Sequence, residues 1–288
     1  MIIGVDLGNF AVKTSKGVSF LAKVSNNKSL NENSDILELE NKTYYLEEGN
    51  FDTEYRKAYK NSLVPLLFAA IGLSTDDVTN EIVCGLPLSQ YQEDKEYLRN
   101  LILQNSNKTI TINGARKKIF IDDIEVVPEG VAAVPNEFEG IVLDIGGRTT
   151  DVCLLANEGC KRKIKKPYSL AKGVLNLKGD FINAINNKFG LDLGLEDTER
   201  ILRNGLKIYG EHQNIDFATS VYKMFIEDVI SQIQVDYSIK TYDIALVGGG
   251  AEMLYKIIQS ILPNAQLIKN SFFANALGYE RIGENIWL

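Results

Sequence analysis

Ile3-Gly4-Val5-Asp6-Leu7-Gly8-Asn9 decides how the rest of this 288-residue chain is read. Its apolar residues predict a buried strand over Ile2–Asp6, and the acid at the strand end is followed by a glycine-bearing turn. A second strand, Ala11–Ser15, completes a hairpin that carries Lys13. The same grammar returns later. Strand Ile141–Asp144 ends in Asp144-Ile145-Gly146-Gly147-Arg148-Thr149-Thr150 and is followed by the strand Asp151–Leu155. A third strand, Asp243–Val247, runs into Gly248-Gly249-Gly250 and then a helix over Glu252–Leu262. The echo predicts two related α/β halves, each offering one hairpin to a shared cleft.

Glycine at such turns has a chemical consequence. A phosphate chain needs backbone N–H groups at close range, and side chains get in the way. A helix opening immediately after the third turn adds an N-terminus that favours negative charge. Three such turns, each after a strand, point to a nucleotide site, although any one alone is more often an ordinary tight turn. Asp6 and Asp144, facing one another from the two hairpins, suit Mg²⁺, which takes oxygen ligands and keeps much of its water. Lys13 is placed to meet phosphate as a point charge. Glu129, in Val127-Pro128-Glu129-Gly130-Val131-Ala132-Ala133, follows a strand and opens a small-residue helix in this reading. It can orient or deprotonate a water, or simply complement a helix dipole.

The remaining pattern is that of a folded α/β protein. Leu63, Leu66, Leu67, Ala70 and Ile71 share a helical face. So do Leu177, Phe181, Ile182, Ile185 and Phe189, and Phe217, Val221, Phe225, Val229 and Ile233 predict a helix over 216–235. Another helix is expected near 91–104. Hairpins are expected at Asn41-Lys42 and Asn113-Gly114, and residues 25–34, rich in Asn and Ser, read as a loop. A net charge of −7 argues against a general electrostatic grip on nucleic acid. The short run Lys161-Arg162-Lys163-Ile164-Lys165-Lys166 reads as a solvated hairpin that leaves room for a partner contact. The single histidine, His212, reads as a loop residue and excludes a His-based triad. Three cysteines, Cys84, Cys153 and Cys160, lack metal-type spacing and suit a reducing cytoplasm. No apolar run is long enough to span a membrane, and the first residues read as a strand and not a signal peptide.

Taken in order, these motifs resemble the actin, heat-shock chaperone and sugar-kinase superfamily. Two phosphate motifs surround Asp6 and Asp144, and the first connecting motif is Pro128-Glu129-Gly130. The adenosine motif is Val247-Gly248-Gly249-Gly250-Ala251, and the second connecting motif is Asn275-Ala276-Leu277-Gly278-Tyr279. Thr43–Gly49 and Val83-Cys84-Gly85-Leu86-Pro87-Leu88 are similar to segments of the ParM/StbA family of bacterial plasmid-segregating proteins. The resemblance implies an actin-like α/β fold with two RNase H-like halves around a nucleotide cleft. The expected division is residues 1–140 with 265–288, against 141–264.

It implies an ATPase, with GTP as a further substrate, in which Asp6 and Asp144 hold Mg²⁺ through water and Glu129 handles the attacking water. Gly8, Asn9, Lys13, Gly146, Gly147, Arg148 and Thr149 meet the phosphates, and Gly248, Gly249 and Gly250 meet adenosine and the α-phosphate. Glu199 and Arg203 look like the helix at ribose and base, or else a solvated face. The resemblance further implies self-assembly into filaments and a DNA-bound, ParR-like adaptor, with no direct nucleic-acid or membrane binding. The short interval between the second phosphate motif and the adenosine motif predicts a reduced outer subdomain in the second half. Phe10 stands where small residues are common. Two other functions share the fold: a small-molecule kinase similar to type III pantothenate kinases, and a membrane-linked cell-division or pilus adaptor.

Overall fold

The computed structural model describes residues 1–28, 34–159 and 161–288. Cys160, and residues 29–33 of the expected loop, lie outside the described residues. In chain order the strands of the first half are β1 (Ile2–Leu7), β2 (Ala11–Thr14), β3 (Ser19–Leu21), β4 (Lys23–Ser25), β5 (Ile36–Leu39) and β6 (Lys42–Phe51), then β7 (Thr79–Leu86), β8 (Asn107–Ile112) and β9 (Ala115–Pro128). Helix α1 (Leu63–Ser74) precedes β7 and α2 (Leu88–Gln104) follows it. The second half has β10 (Gly140–Ile145), β11 (Thr150–Glu158), β12 (Lys161–Leu170), α3 (Val174–Phe189), α4 (Asp197–Asn204), β13 (Leu206–Ile208), β14 (Glu211–Gln213) and α5 (Asp216–Ile233). It continues through β15 (Ile244–Val247), α6 (Gly248–Ile261) and β16 (Ala265–Leu267) to α7 (Ala274–Trp287).

The internal echo is realised strand for strand. Five strands of the larger sheet run in the order β3-β2-β1-β7-β9, and the smaller sheet runs β12-β11-β10-β15-β16. In both, the first two pairings are antiparallel and the next two parallel. The larger sheet then extends through β8, β5, β6 and β4. Strands buried on both faces read as continuous apolar runs, and β10, Gly140-Ile141-Val142-Leu143-Asp144-Ile145, is buried at every position. Although β16 belongs to the second sheet, α7 crosses back and packs on β1 and β7.

Two turns obey local chemistry. Glu40-Asn41 joins β5 to β6 and Asn113-Gly114 joins β8 to β9, each with both residues at positive φ, as tight two-residue hairpins require. Cys84 and Cys153 are core residues whose thiols burial pushes up to about 12. Helix α5 buries Phe225, Val229 and Ile233, while Phe217 at its start stays exposed.

The structure overturns two expectations and refines a third. No helix follows Glu129: residues 129–133 are turns, because Gly130 takes φ +78 and Pro135, lacking an N–H, bars a continuing helical ladder. His212 is not in a loop but pairs with Lys207 in the β13–β14 hairpin. The basic run, expected as a solvated hairpin, is the exposed second strand of the β11–β12 hairpin, except for Arg162. That side chain turns inward and donates to the carbonyls of Val131, Pro135 and Phe138.

Candidate functional site: an acid-lined cleft

Both hairpins and the start of α6 open onto one cavity of about 670 Å³, within the size range of small-molecule and cofactor sites. Its walls include Asp6, Gly8, Asn9 and Lys13 from the first hairpin and Asp144, Gly146, Gly147 and Thr149 from the second. Gly248, Gly249 and Gly250 form the first turn of α6, and Glu129 closes the floor. Gly248 shows why this turn is glycine. It holds φ +92, and an added Cβ would lie 2.5 Å from Asp144 Oδ1.

The two aspartates are buried, each one residue before the end of its strand, but their neighbours differ. Lys13 Nζ lies 2.6 Å from Asp6 Oδ2 and Lys57 Nζ lies 3.7 Å from Asp6 Oδ1. Burial pushes the Asp6 carboxyl up, but the two ammonium groups outweigh it and hold it below the usual carboxylate range. Asp144 has only an amide beside it: Asn275 Nδ2 donates to Oδ2 at 2.7 Å. Burial dominates there, reinforced by repulsion from Glu129, Asp151 and Asp6, and pushes Asp144 up to about 7.

Asn275 also accepts the Gly130 N–H at 2.9 Å, so the second connecting motif ties the Glu129 turn to Asp144. Glu129 itself is paired, through Oε1, with the ammonium of Lys57. Lys57 is 2% exposed, and although burial pulls its pKa down, Glu129 and Asp6 together hold it above the usual lysine range.

A Mg²⁺ ion fits this donor set. Among the described residues no cluster of three or more His, Cys, Asp or Glu side chains is arranged to hold a metal by itself. Two carboxylates facing a cavity sized for a nucleotide match a cation held largely by water and phosphate.

Phe10 and Arg148 occupy the same place in the two turns, four residues after Asp6 and Asp144, and each reaches across the cleft. Phe10 packs on Gly147, where an added Cβ would come within 2.5 Å of the Phe10 Cβ. Its ring stacks on Phe51 at 5.5 Å and receives the Lys178 ammonium at 4.7 Å. Arg148 donates to the carbonyls of Asp52 and Glu54 at 3.0 and 3.1 Å. That places Arg148 outside the cavity lining, in a bridging role instead of the phosphate contact expected of it.

At the far end of the cavity, Glu199 lines the wall and accepts a bond from Lys178 at 2.6 Å, while Arg203, one turn on along α4, points to solvent and does not line it. Met253, Asn270, Phe272 and Phe273 complete that end.

Sequence reasoning missed Lys57, Lys178 and the pairing role of Asn275. Lys178 directly follows Leu177 in the α3 stripe and was legible as a stripe-edge lysine. Lys57 sits in Tyr55-Arg56-Lys57-Ala58-Tyr59-Lys60, a run without apolar period, and nothing local marks it as buried.

Comparison with known proteins agrees with this geometry. Residues 4–131 match the family model of the actin-like proteins N-terminal domain. An archaeal actin homolog of Thermoplasma acidophilum is 24% identical over 251 residues, covering 76% of this chain and 74% of that protein. Among solved structures, a non-polymerisable quadruple mutant of pCBH ParM superposes with a TM-score of 0.83 at 22% identity, covering 99% of both chains. A ParM from Clostridium botulinum in a 15-stranded filament gives 0.82 at 21%, and an archaeal actin homolog in complex with ADP gives 0.81 at 21%, each covering 99% of both chains. Two matching sheets around an acid-lined cleft, with these likenesses, give the chain an actin-like α/β fold in which residues 4–131 match the actin-like proteins N-terminal domain.

Proposed function

We propose that the chain binds ATP with Mg²⁺ in this cleft, hydrolyses it to ADP and phosphate, and assembles into filaments under control of the bound nucleotide. The observation that carries the reading is the convergence of Asp6, Asp144, Glu129 and the glycine-rich start of α6 on one cavity. Phosphates sit at the two turns and the α6 N-terminus, where backbone N–H groups and Lys13 meet their charge. Mg²⁺, when bound near Asp6 and Asp144, supplies charge neutralisation for the triphosphate. Glu129 orients the attacking water and takes its proton. The adenosine lies toward Glu199, Met253 and Phe272. Support for assembly comes from the likeness to a ParM solved as a filament, and support for the nucleotide from the likeness to an actin homolog solved with ADP.

The finer role in this proposal is moving plasmid copies apart in the cytoplasm through a DNA-bound, ParR-like adaptor, with no direct nucleic-acid contact; its support is the resemblance of the sequence motifs to the ParM/StbA family. Among the described residues no helix is long and apolar enough to cross a membrane.

Light scattering and phosphate release, recorded on one sample with Mg-ATP, test the reading. Wild type is expected to scatter and release phosphate. Glu129→Ala is expected to assemble, release phosphate about 10²–10⁴-fold more slowly, and persist as polymer. Absence of polymer under every nucleotide and salt condition would defeat the filament, and near-normal release by Glu129→Ala would remove Glu129 from the chemistry.

A further inference from the structure

Residues 52–60 lie in the connection from β6 to α1 and are held from two directions. On one side α2 grips them: Gln90 accepts the Lys57 N–H at 2.9 Å and donates to the Tyr55 carbonyl at 3.1 Å, and Arg56 Nε donates to buried Asp94 at 3.0 Å. From across the cleft comes Arg148, on the carbonyls of Asp52 and Glu54. The segment delivers two lysines inward. Lys60 reaches Asn9 in the first turn, and Lys57 reaches Glu129.

Stability alone does not call for Lys57. Burying an ammonium is costly before its partners offset it, and an apolar side chain of similar length often does as well. Asp6 does not call for it either, since Lys13 already lies 2.6 Å away while Lys57 is at 3.7 Å. What Lys57 alone serves is Glu129. That carboxylate stands on a turn, not on a helix; Asp6, Asp151 and Asp144 repel it, and Lys60, the other cation that attracts it, spends its own hydrogen bond on Asn9.

We propose that Lys57 is a positioning residue for hydrolysis: it fixes the Glu129 carboxylate against the cavity, and Arg148 makes that placement depend on closure of the two halves. An open cleft withdraws Arg148 from the 52–60 segment and loosens Lys57. A closed one seats it. The device ties turnover to the same closure that brings both phosphate turns onto the nucleotide.

The inference rests on the proposed hydrolysis, and the experiment separates the two. Phosphate release from Mg-ATP is measured over a concentration series for wild type, Lys57→Met, Lys57→Arg, Glu129→Gln, Arg148→Met and the double variant Lys57→Met/Glu129→Gln. Lys57→Met is expected to lower kcat by about 10–100-fold while KM moves less than about threefold, the pattern of an interaction that acts on the transition state. Lys57→Arg recovers at least about a third of wild-type kcat, because the cation is kept. The double variant is no slower than Glu129→Gln alone, since Lys57 acts through Glu129. It also lacks both members of the buried pair, so it folds where Lys57→Met alone leaves Glu129 uncompensated. Arg148→Met lowers kcat by about 3–10-fold.

Losses from Lys57→Met and Glu129→Gln that multiply in the double variant would overturn the proposal. So would Lys57→Met turnover at the wild-type rate, a loss confined to KM, or failure of Lys57→Arg to recover. A wild type that releases no phosphate would instead defeat the proposed hydrolysis itself.

Discussion

The β1–β2 and β10–β11 hairpins each bring a buried aspartate to the end of a strand, each follow it with a glycine turn, and each face the same cavity. They differ at one register position. Asp6 lies directly across its ladder from Lys13, while Asp144 lies across from Asp151, another acid. Lys57 then adds a second cation on the Asp6 side, and the Asp144 side receives only the Asn275 amide. Equivalent backbone thus produces one carboxylate held ionised and another whose pKa burial raises to about 7. The lesson is that a glycine-bearing turn at a strand end specifies where charge can be met, while the facing strand and the next layer specify which charge is there. The unneutralised half of the cleft is the one with most to gain from a cation.

Paired substitutions test this contrast hardest. Asp6→Asn leaves Lys13 buried without its partner, and is expected to destabilise the nucleotide-free protein by about 3–5 kcal/mol, the usual cost of breaking a buried pair. Asp144→Asn keeps an acceptor for Asn275 and removes a poorly solvated charge, so it should be neutral or stabilising in the same denaturant titration at pH 7.5. Equal losses from both variants would show that the two aspartates are electrostatically alike.

The pH dependence of Asp144 gives a smaller effect with a definite sign. Its carboxyl is raised from 3.8 to about 7 in the folded protein. Between those values the folded state holds a proton that the unfolded state has lost. The stability carried by this proton is therefore complete at low pH and is lost as pH rises toward 7, then changes no further. Relative to Asp144→Asn, wild type should lose about 2–3 kcal/mol between pH 5 and pH 7 and little more by pH 8, at roughly 1.4 kcal/mol per unit. A flat difference between the two proteins across that range would place Asp144 among ordinary ionised carboxylates.

The smallest effects lie at Phe10 and Arg148, the matching positions that cross the cleft in opposite directions. Phe10→Leu removes the face that receives the Lys178 ammonium and should cost about 0.5–1 kcal/mol in thermal unfolding. Arg148→Met removes two hydrogen bonds to carbonyls and should cost about 1–2 kcal/mol. Losses from the two that simply add would mean that the bridges hold the halves independently. A combined loss clearly different from the sum would mean that they share one closure.

Much of the fold was legible because its signals are local. An acid at a strand end, glycine in the following turn and a run of apolar residues before it are all read within about ten residues, and both hairpins and the α6 turn lie where those signals put them. The turns followed, since Gly8 and Gly146 meet only their own turns, whereas Gly248 is pressed against Asp144 from the other strand. Local chemistry also misled. Val131-Ala132-Ala133 has the composition of a helix, but Gly130 at positive φ and Pro135 five residues on confine it to turns.

What the sequence by itself determined is the pair of carboxylate-bearing hairpins and the cleft they imply, because strand, turn and helix propensities act between neighbours along the chain. Only the tertiary structure decided the charge partners: Lys57 meets Glu129 from 72 residues away, Asn275 meets Asp144 from 131, and Arg148 reaches Glu54 from 94. Such pairings depend on how two sheets, α2 and α7 pack together. In a buried cluster of acids, the identity of the nearest cation sets the electrostatics, and no local pattern encodes it.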